Sequence, residues 1–552
     1  MRLSRIAAVL LFAFRLPGAQ FQADVVIYGG TPAGLAAAAA ATREGASVIV
    51  AEPTTHIGGM IAGGIACTDT GTPQLVGGIA AEFFNQVAAE TRRSNPNPRP
   101  PTFTFRGETI AWRGPREWDL EPKTARLVFE RWVKEGGYKL LTNVHVTSVK
   151  KRGARILAMK LSDGSTLSGA VFIDASYEGD LMALAGVSNT YGREAASQYG
   201  ERLNGVQQPH FIRDYTEQAY RTPGSEYMHH GQFGADIPAR DARGKLYWGV
   251  EASAPEPAGS ADRRIQAYCY RLVVTQRADL KLPWPRPDHY DPGRYELLLR
   301  YIQAHPGIAF ARLIHLYAVP NGKYDLNASG PFSIDYVGGN RGYPEASWAQ
   351  RERMLEDHRD YEKGFFWFLA HDPRVPAELR EEVNSWGIAR DEWPDTNNWP
   401  VQIYARESRR MTGSYVMTGK DILENKTKED SVGMGSFVLD SHWVRRIANE
   451  RGFVRVEGHL DESIDLARAP YQIPYRALTP KPNECQNLLV PVCVSATHVA
   501  ICTIRMEPVY MILGHSAGVA AALAAKSHHA VQDVVRGALL EKLSTQRQVL
   551  HK

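Results

Sequence analysis

Hydrophobic positions along this chain change period several times, and each change marks an element. Val25-Val26-Ile27-Tyr28 is an unbroken apolar run, the pattern of a strand buried on both faces. A glycine-rich turn follows at Gly29–Gly34. The alanine-dense stretch Leu35–Arg43 then has high helix propensity and side chains small enough to lie close on a sheet. Gly45 stops that helix, and Ala46–Ala51 reads as a second strand ending at Glu52. Further on, Lys123–Glu135 has an apolar stripe at Leu127, Val128, Trp132 and Val133, which predicts a helix with one buried face. From Tyr138 the pattern turns to strands, at Leu140–Thr142, Val144–Val149, Ile156–Met159 and Leu167–Val171, with Asp163-Gly164 as a turn. Val171-Phe172-Ile173 runs into the small and polar residues Asp174–Asp180. Residues 189–460 differ: they are rich in Tyr, Trp, Pro, Asn and Arg, with a charged, aromatic-studded helical stretch between Tyr343 and Arg374. Asn487–Val494 reads as a buried strand, and Gly514–Gly518 opens a second alanine-rich helix over Val519–Ala524.

The strand–turn–helix–strand at the start carries the first chemistry. Gly29 permits the tight turn, Gly34 permits close helix–strand packing, and Gly30, Thr31, Pro32 and Ala33 complete the loop. Backbone N–H groups at the helix start face a pyrophosphate there, where the helix dipole favours negative charge. Glu52, 23 positions after Gly29, is placed to accept hydrogen bonds from a ribose diol and argues against a ribose 2′-phosphate. The middle glycine of the usual G-x-G-x-x-G is Thr31 here.

Glu52 leads into Pro53-Thr54-Thr55-His56-Ile57-Gly58-Gly59-Met60. An acidic strand end followed by a Gly-Gly turn resembles the flavoprotein arrangement in which this loop runs along FAD. The segments YGGTPAG, EPTTHIGGM, FIDASYEGDLMALAGV, SFVLDSH, IPYRALTP and IRMEPVYMILGHSAGVAAALA resemble the FAD-dependent oxidoreductase family that includes proteins labelled "xanthan lyase", over most of the chain. The resemblance implies an α/β fold: a Rossmann-like FAD-binding domain of the glutathione-reductase type with a large inserted substrate or cap domain. The implied boundaries are a signal peptide at 1–23, FAD-binding parts at 24–188 and 466–530, an insertion at 189–465 and a tail at 531–552. Pro53, Gly58, Gly59 and Met60 then lie along FAD, and Val146 offers backbone contacts beside the adenine. Ala175, Ser176, Gly179 and Asp180 form the second FAD motif. The helix opened by Gly514, Ser516 and Ala517 points its N-terminus at the pyrimidine end of the isoalloxazine, where its dipole stabilises reduced flavin.

Composition narrows the partners. The formal charge of +4 falls to about +1 once Arg2, Arg5 and Arg15 are assigned to a leader, so no nucleic-acid footprint exists. The leader reading rests on basic residues, the apolar run Ile6–Phe14, and small residues near Ala19 and Ala23, the layout of a signal peptide; export to periplasm or exterior follows. Past it, no apolar run of 18 residues is evident, so no membrane span is expected. Five cysteines contain no C-x-x-C, which speaks against a disulfide reductase or an iron–sulfur cluster; Cys485, Cys493 and Cys502 read as buried thiols or as the source of one disulfide. His229-His230 has no partners at ligand spacing, so no metal is expected.

His498 and Arg505, on the loop before the last helix, are the candidates for chemistry beside the flavin. Arg505 suits charge stabilisation of flavin or a substrate oxygen, with an ion pair to Glu507 as the plainer alternative. His498 suits proton removal as hydride leaves. Arg406 and Glu407, in the alternating run Arg406–Arg410, read as either pocket residues or a solvated helix face. The expected function is FAD-dependent removal of hydride from a small polar molecule, possibly carbohydrate-derived, with oxygen or a quinone as acceptor and no NAD(P)H site. The alternatives are alkene reduction, and a polysaccharide lyase or glycan-binding protein in which FAD is structural.

Overall fold

The apolar run at Val25 is the inner half of a longer strand. The computed structural model describes residues 18–94, 102–105, 108–111, 119–207, 233–252, 256–424, 426–460 and 470–552. It places β1 at Gln20–Tyr28, α1 at Pro32–Arg43 and β2 at Val48–Ala51. Short helix α2 (Gly59–Gly63), then α3 (Gly78–Ser94) and α4 (Pro122–Gly136), lead to β3 (Lys139–Leu141). β4 (Val146–Arg152), β5 (Arg155–Leu161) and β6 (Thr166–Asp174) follow as a meander. Residues 1–17 of the leader, most of the Pro-rich stretch Arg92–Pro101, and His229-His230 lie outside the described residues.

One mixed sheet organises these elements, in the order β3-β2-β1-β6-β5-β4. β1 pairs in parallel with β2 and β6, and β2 with β3, whereas β5 is antiparallel to both β4 and β6. β6 changes partner along one edge: Thr166–Ser168 pair with β5, and Phe172–Ile173 pair in parallel with a strand from far down the chain, Leu488–Leu489. Asn487 sits at this fork, donating to the Ile156 and Ala170 carbonyls and accepting from the Ile156 N–H. Only these two residues of the expected Asn487–Val494 strand pair.

Between these parts a second body forms. β7 (Leu272–Thr275), β8 (Lys281–Leu282), β9 (Ile314–Val319), β10 (Lys323–Ala328) and, after helix α5 (Trp348–His371), β11 (Gly387–Ala389) make an antiparallel sheet ordered β8-β11-β7-β10-β9. α5 is the charged, aromatic helix read from the sequence; its Ser347–Gln350 capping box sets its start. The chain returns through β12 (Leu488–Leu489), α6 (His498–Ile504) and α7 (Glu507–Ser527).

Several expectations are corrected. On α4 the buried stripe is Ala125, Val128, Phe129 and Trp132, whereas Leu127 is 51% exposed, because the helix turns Phe129 and not Leu127 toward Phe83. α7 starts at Glu507, not Gly514. It is long and apolar enough to cross a membrane by length and composition, but lies in the protein interior. β1 begins at Gln20, before the expected domain start at 24, and Gln20–Ala23 pair with Thr166–Gly169. The C-terminal tail is built in: Arg536–Thr545 is helical, and the Gln548 amide donates to the Val432 and Ile512 carbonyls. All five cysteines are free thiols, four of them buried.

α7 packs on α1 through glycine. A Cβ at Gly514 would collide with the Ala33 carbonyl oxygen, and one at Gly518 with that of Ala37. We therefore expect Gly514→Ala to cost about 1–3 kcal/mol in urea unfolding, as overpacked interiors do. Gly537→Ala, on an open helix surface with nothing within 4 Å, is expected to be neutral or slightly stabilising. Equal effects of the two changes would contradict the close contact.

Candidate functional site

Ala33 faces Gly514 and Ala37 faces Gly518, so α1 and α7 run parallel with their N-termini at one end. Gly514 is the eighth residue of α7 and Ala33 the second of α1. α7 therefore overreaches α1 by six residues, about 9 Å. The turn between β1 and α1 lies on the flank of that overhang.

The turn is shaped as its sequence suggests. Gly29 adopts φ +103°, a region closed to most side chains. Thr31, where the usual glycine stands, is the N-cap: its Oγ1 accepts from the Gly34 N–H (3.2 Å) and donates to the Ala175 carbonyl (2.7 Å). It thus ties the glycine turn to the segment that follows β6. Gly30 donates to the Glu52 carboxylate at 2.6 Å, and the Thr54 N–H bonds its other oxygen at 2.8 Å. Burial pushes the Glu52 carboxyl up to about 7 against those hydrogen bonds. Gly58 donates to the Gly30 carbonyl at 2.7 Å, which folds the Glu52–Met60 loop, with Pro53 at its outer side, back over the turn. Pro32 and Ala33 form the first helical turn, both buried.

The segment after β6 closes the other side. Ser176 donates to Asp174 at 2.6 Å and accepts from the Gly179 N–H at 3.1 Å. Asp180 is gripped by two guanidiniums, Arg351 of α5 at 2.6 and 2.9 Å and Arg409 at 2.7 Å. Burial works upward on Asp180, but these arginines hold its carboxyl below the ordinary range. Tyr177 donates to Glu507 at 2.7 Å and accepts from the Met60 N–H at 3.0 Å. The N–H of Val146 points to the Tyr28 hydroxyl at 3.4 Å, on the same sheet edge.

Gly514, Ser516 and Ala517 take a different place from the one expected. They lie inside α7, where Gly514 meets α1 and Ser516 donates to the Val432 carbonyl at 2.8 Å. The helix end that faces the turn belongs to Glu507, and Pro508 at a first-turn position is the sequence signal that marks this start.

The candidates for chemistry are buried and bonded. His498 opens α6 and Arg505 caps its end, so neither is on a plain loop. Tyr404–Ser408 form no helix and are all buried, which overturns a solvated helix face for Arg406 and Glu407. The Nδ1 of His498 meets the Glu407 carboxylate at 2.8 Å, while its buried Nε2 has no hydrogen-bond partner among the described residues. Burial raises the Glu407 carboxyl, but His498, Arg410 and the Gln266 N–H outweigh it and leave it below the ordinary value. An ionised carboxylate only accepts, so Nδ1 carries a ring proton toward Glu407. Glu194 closes the ring, taking Arg410 at 2.6 Å and the His498 N–H at 3.0 Å. Arg505 donates to the Tyr404 hydroxyl (2.8 Å) and to Asp440 (2.9 Å), not to Glu507. Arg406 meets Asp335 at 3.0 Å, and Asp335 meets His442 at 2.6 Å.

Two residues escaped the sequence reading. Asp69, partly exposed on the loop after α2, has its carboxyl pushed up to about 7 by burial and by the charge of Asp440, against Arg271 and Arg505. Asp440, a fifth exposed, stands beside Arg505. Only the Asp-Ser-His within SFVLDSH hinted at the second. Glu121, Asp391 and Glu392 form an acidic cluster spaced for a cation, but the Lys323 ammonium bonds all three carboxylates.

A mixed α/β sheet with parallel strands at its centre, a glycine turn between strand and helix, and an acid at the end of the next strand form the architecture of a dinucleotide-binding protein. The chain belongs to the FAD-dependent oxidoreductase family, whose model, described as FAD dependent oxidoreductase, matches residues 24–544. FAD is its cofactor, and the donor chemistry is compatible with one: the Gly29–Gly34 turn opens α1 beside the strand-end carboxylate of Glu52, the residues that would hold its phosphates and ribose. No curated protein matches the chain. A geranylgeranyl bacteriochlorophyll reductase-like protein from Thermoplasma acidophilum is 10% identical, over 96% of this chain and 83% of that one, with a TM-score of 0.36. The flavin-dependent brominase Bmp2 is 10% identical over 95% and 83%, at 0.35. The anhydrotetracycline hydroxylase OxyS from Streptomyces rimosus is 15% identical over 32% of this chain, at 0.24; this chain spans 36% of its length. Such scores carry no argument about substrate.

The Glu194–Arg410 contact predicts a pH signature. Burial raises the Glu194 carboxyl, but Arg410 and the His498 N–H bring it down to about 2 from 4.5. A depressed carboxyl stabilises the fold above pH 4.5 and loses that contribution as pH falls toward 2. Glu194→Gln should therefore cost about 3 kcal/mol at pH 7. In urea unfolding the gap to wild type should shrink between pH 4.5 and 2; a gap constant with pH would contradict the ion pair.

Proposed function

We propose that this enzyme removes hydride from a carbon bearing a hydroxyl on a small polar, carbohydrate-derived molecule. FAD, when bound, supplies the hydride acceptor. His498 takes the hydroxyl proton at Nε2, with Glu407 fixing the ring and stabilising the positive charge that results. Arg505, held by Asp440 and Tyr404, stabilises negative charge on flavin or on the substrate oxygen. The observation that carries this reading is the buried, unpartnered Nε2 of His498, with its ring proton committed to an ionised Glu407. Asp69 and Asp440 supply polar groups for a hydroxylated ligand. Oxygen or a quinone would serve as the final electron acceptor.

The finer architecture belongs to the same proposal. We read the fold as the glutathione-reductase type, with residues 189–465 as a cap over the flavin. The meander β4-β5-β6 and the late strand β12, which rejoins β6, support that reading. The Arg351–Asp180 and His56–Asp395 contacts support a cap docked on both cofactor segments.

We also propose export. Cleavage after Ala19 leaves β1 whole, whereas cleavage after Ala23 removes four residues paired with β6, so the earlier site is the better one. N-terminal sequencing of exported protein should find Gln20 first; intact Met1 on cytoplasmic protein would refute export.

Anaerobic rapid mixing of FAD-loaded protein with a panel of polyols and sugar acids tests the function. A substrate should bleach the flavin band. Arg505→Lys and Arg505→Met should retain FAD, and Met should slow reduction by roughly a hundred- to a thousandfold, about 3–4 kcal/mol. Wild-type rates in Arg505→Met would reduce this arginine to a structural ion pair.

A further inference from the structure

Glu507 has an environment unlike that of the other carboxylates buried near the cofactor turn. It is 3% exposed, in the first turn of α7, on the overhang that flanks the start of α1. One oxygen accepts from Tyr177; the other is buried with no hydrogen-bond partner among the described residues. Asp180 is held by two arginines and Glu407 by a histidine; among the described residues no cation bonds Glu507, nor Glu52, whose two oxygens are instead both held by backbone N–H groups. The Tyr177 hydroxyl that reaches it also holds the Met60 N–H, at the point where the Glu52–Met60 loop passes Pro32: a Cβ at Gly59 would stand 3.0 Å from the Pro32 Cδ and collide with that hydroxyl. An anion seated on the first turn of α1 therefore has the Tyr177–Glu507 pair as its neighbour.

We propose that Glu507 carries a proton when FAD is bound, so that the cofactor's anionic pyrophosphate binds together with a proton drawn from solvent. A carboxylate without a cation, placed beside two further negative charges in a water-poor site, is costly; the neutral acid removes the repulsion and keeps its bond to Tyr177. Burial has already pushed the carboxyl up to about 8, against the Tyr177 hydrogen bond. Apart from Glu52, the groups around it do not titrate between pH 7 and 9.5. Tyr177 and Tyr510 are pushed well above 10 by burial, Cys493 well above 9, and the Arg505 guanidinium is held charged by Tyr404 and Asp440. Glu52 titrates about a unit lower. The inference concerns the family's cofactor and stands apart from the substrate reading.

The sign follows. With Glu507 protonated in the complex and titrating near 8 without FAD, affinity is flat below pH 8 and weakens above it, approaching tenfold per pH unit. FAD binding to flavin-free protein, followed by fluorescence quenching from pH 7 to 9.5, should show this bend. Glu507→Gln, a permanent stand-in for the neutral acid, should bind FAD at pH 9.5 about as tightly as wild type does at pH 7. Glu52→Gln should keep the bend. A bend that persists unchanged in Glu507→Gln would overturn the proposal. Should that variant fail to fold, proton uptake by wild type, read with an indicator dye in weakly buffered solution, decides instead. Uptake should be near zero at pH 7 and approach one proton per FAD at pH 9; no uptake at pH 9 would overturn the proposal equally.

Discussion

The contact between α1 and α7 is the constraint from which the rest follows. Two glycines on one helix meet two carbonyl oxygens on the other, at a separation where no Cβ fits. Backbones this close leave no freedom to slide, because interiors pack at crystal-like density. The register fixes how far α7 reaches past α1, and so puts Glu507, Met506 and Arg505 alongside the nucleotide turn. It also fixes α6, which is separated from α7 by only two residues, and hence His498. Segments almost five hundred residues apart in sequence become one site because two small-residue helices lie parallel.

Much of this was legible and some was not, for physical reasons. The β1–α1–β2 unit is local, so periodicity and turn chemistry suffice to find it. Gly514 reads as a helix opener in the sequence, but its use is close approach in mid-helix, which depends on the partner surface. Pro508 carried the true start. On α4, Leu127 and Phe129 both fit an apolar stripe, and only the stacking of Phe129 on Phe83 decides between them. Asp69 and Asp440 gain meaning from each other and from Arg505, over distances in sequence that no motif spans. The Arg406–Arg410 run illustrates the opposite error, since alternating charge resembles a wet surface yet is buried here with a partner for each charge.

Charge in the interior divides into two kinds. Asp180, Glu194 and Glu407 have cationic or protonated partners, remain ionised, and join segments far apart in the chain. Arg193, with Asp262 and Glu457, and Arg445, again with Glu457, continue that pattern away from the site. Glu52, Asp69 and Glu507 lack such a partner in direct contact, and burial moves each toward neutrality near pH 7 to 8. Glu52 stands at the cofactor turn, Glu507 at the start of α7, and Asp69 beside Asp440 and Arg505. A site that binds an anionic dinucleotide and moves protons gains from carboxyls that can be neutral, whereas a scaffold gains from carboxylates that stay charged.

The most direct test of this placement is backbone hydrogen–deuterium exchange, compared between flavin-free and FAD-loaded protein. The account predicts added protection at residues 29–34, 52–60 and 175–180, and also in the first two turns of α7, residues 507–513. Protection at the first three segments without α7, or protection centred on the antiparallel sheet around residues 272–328, would contradict it.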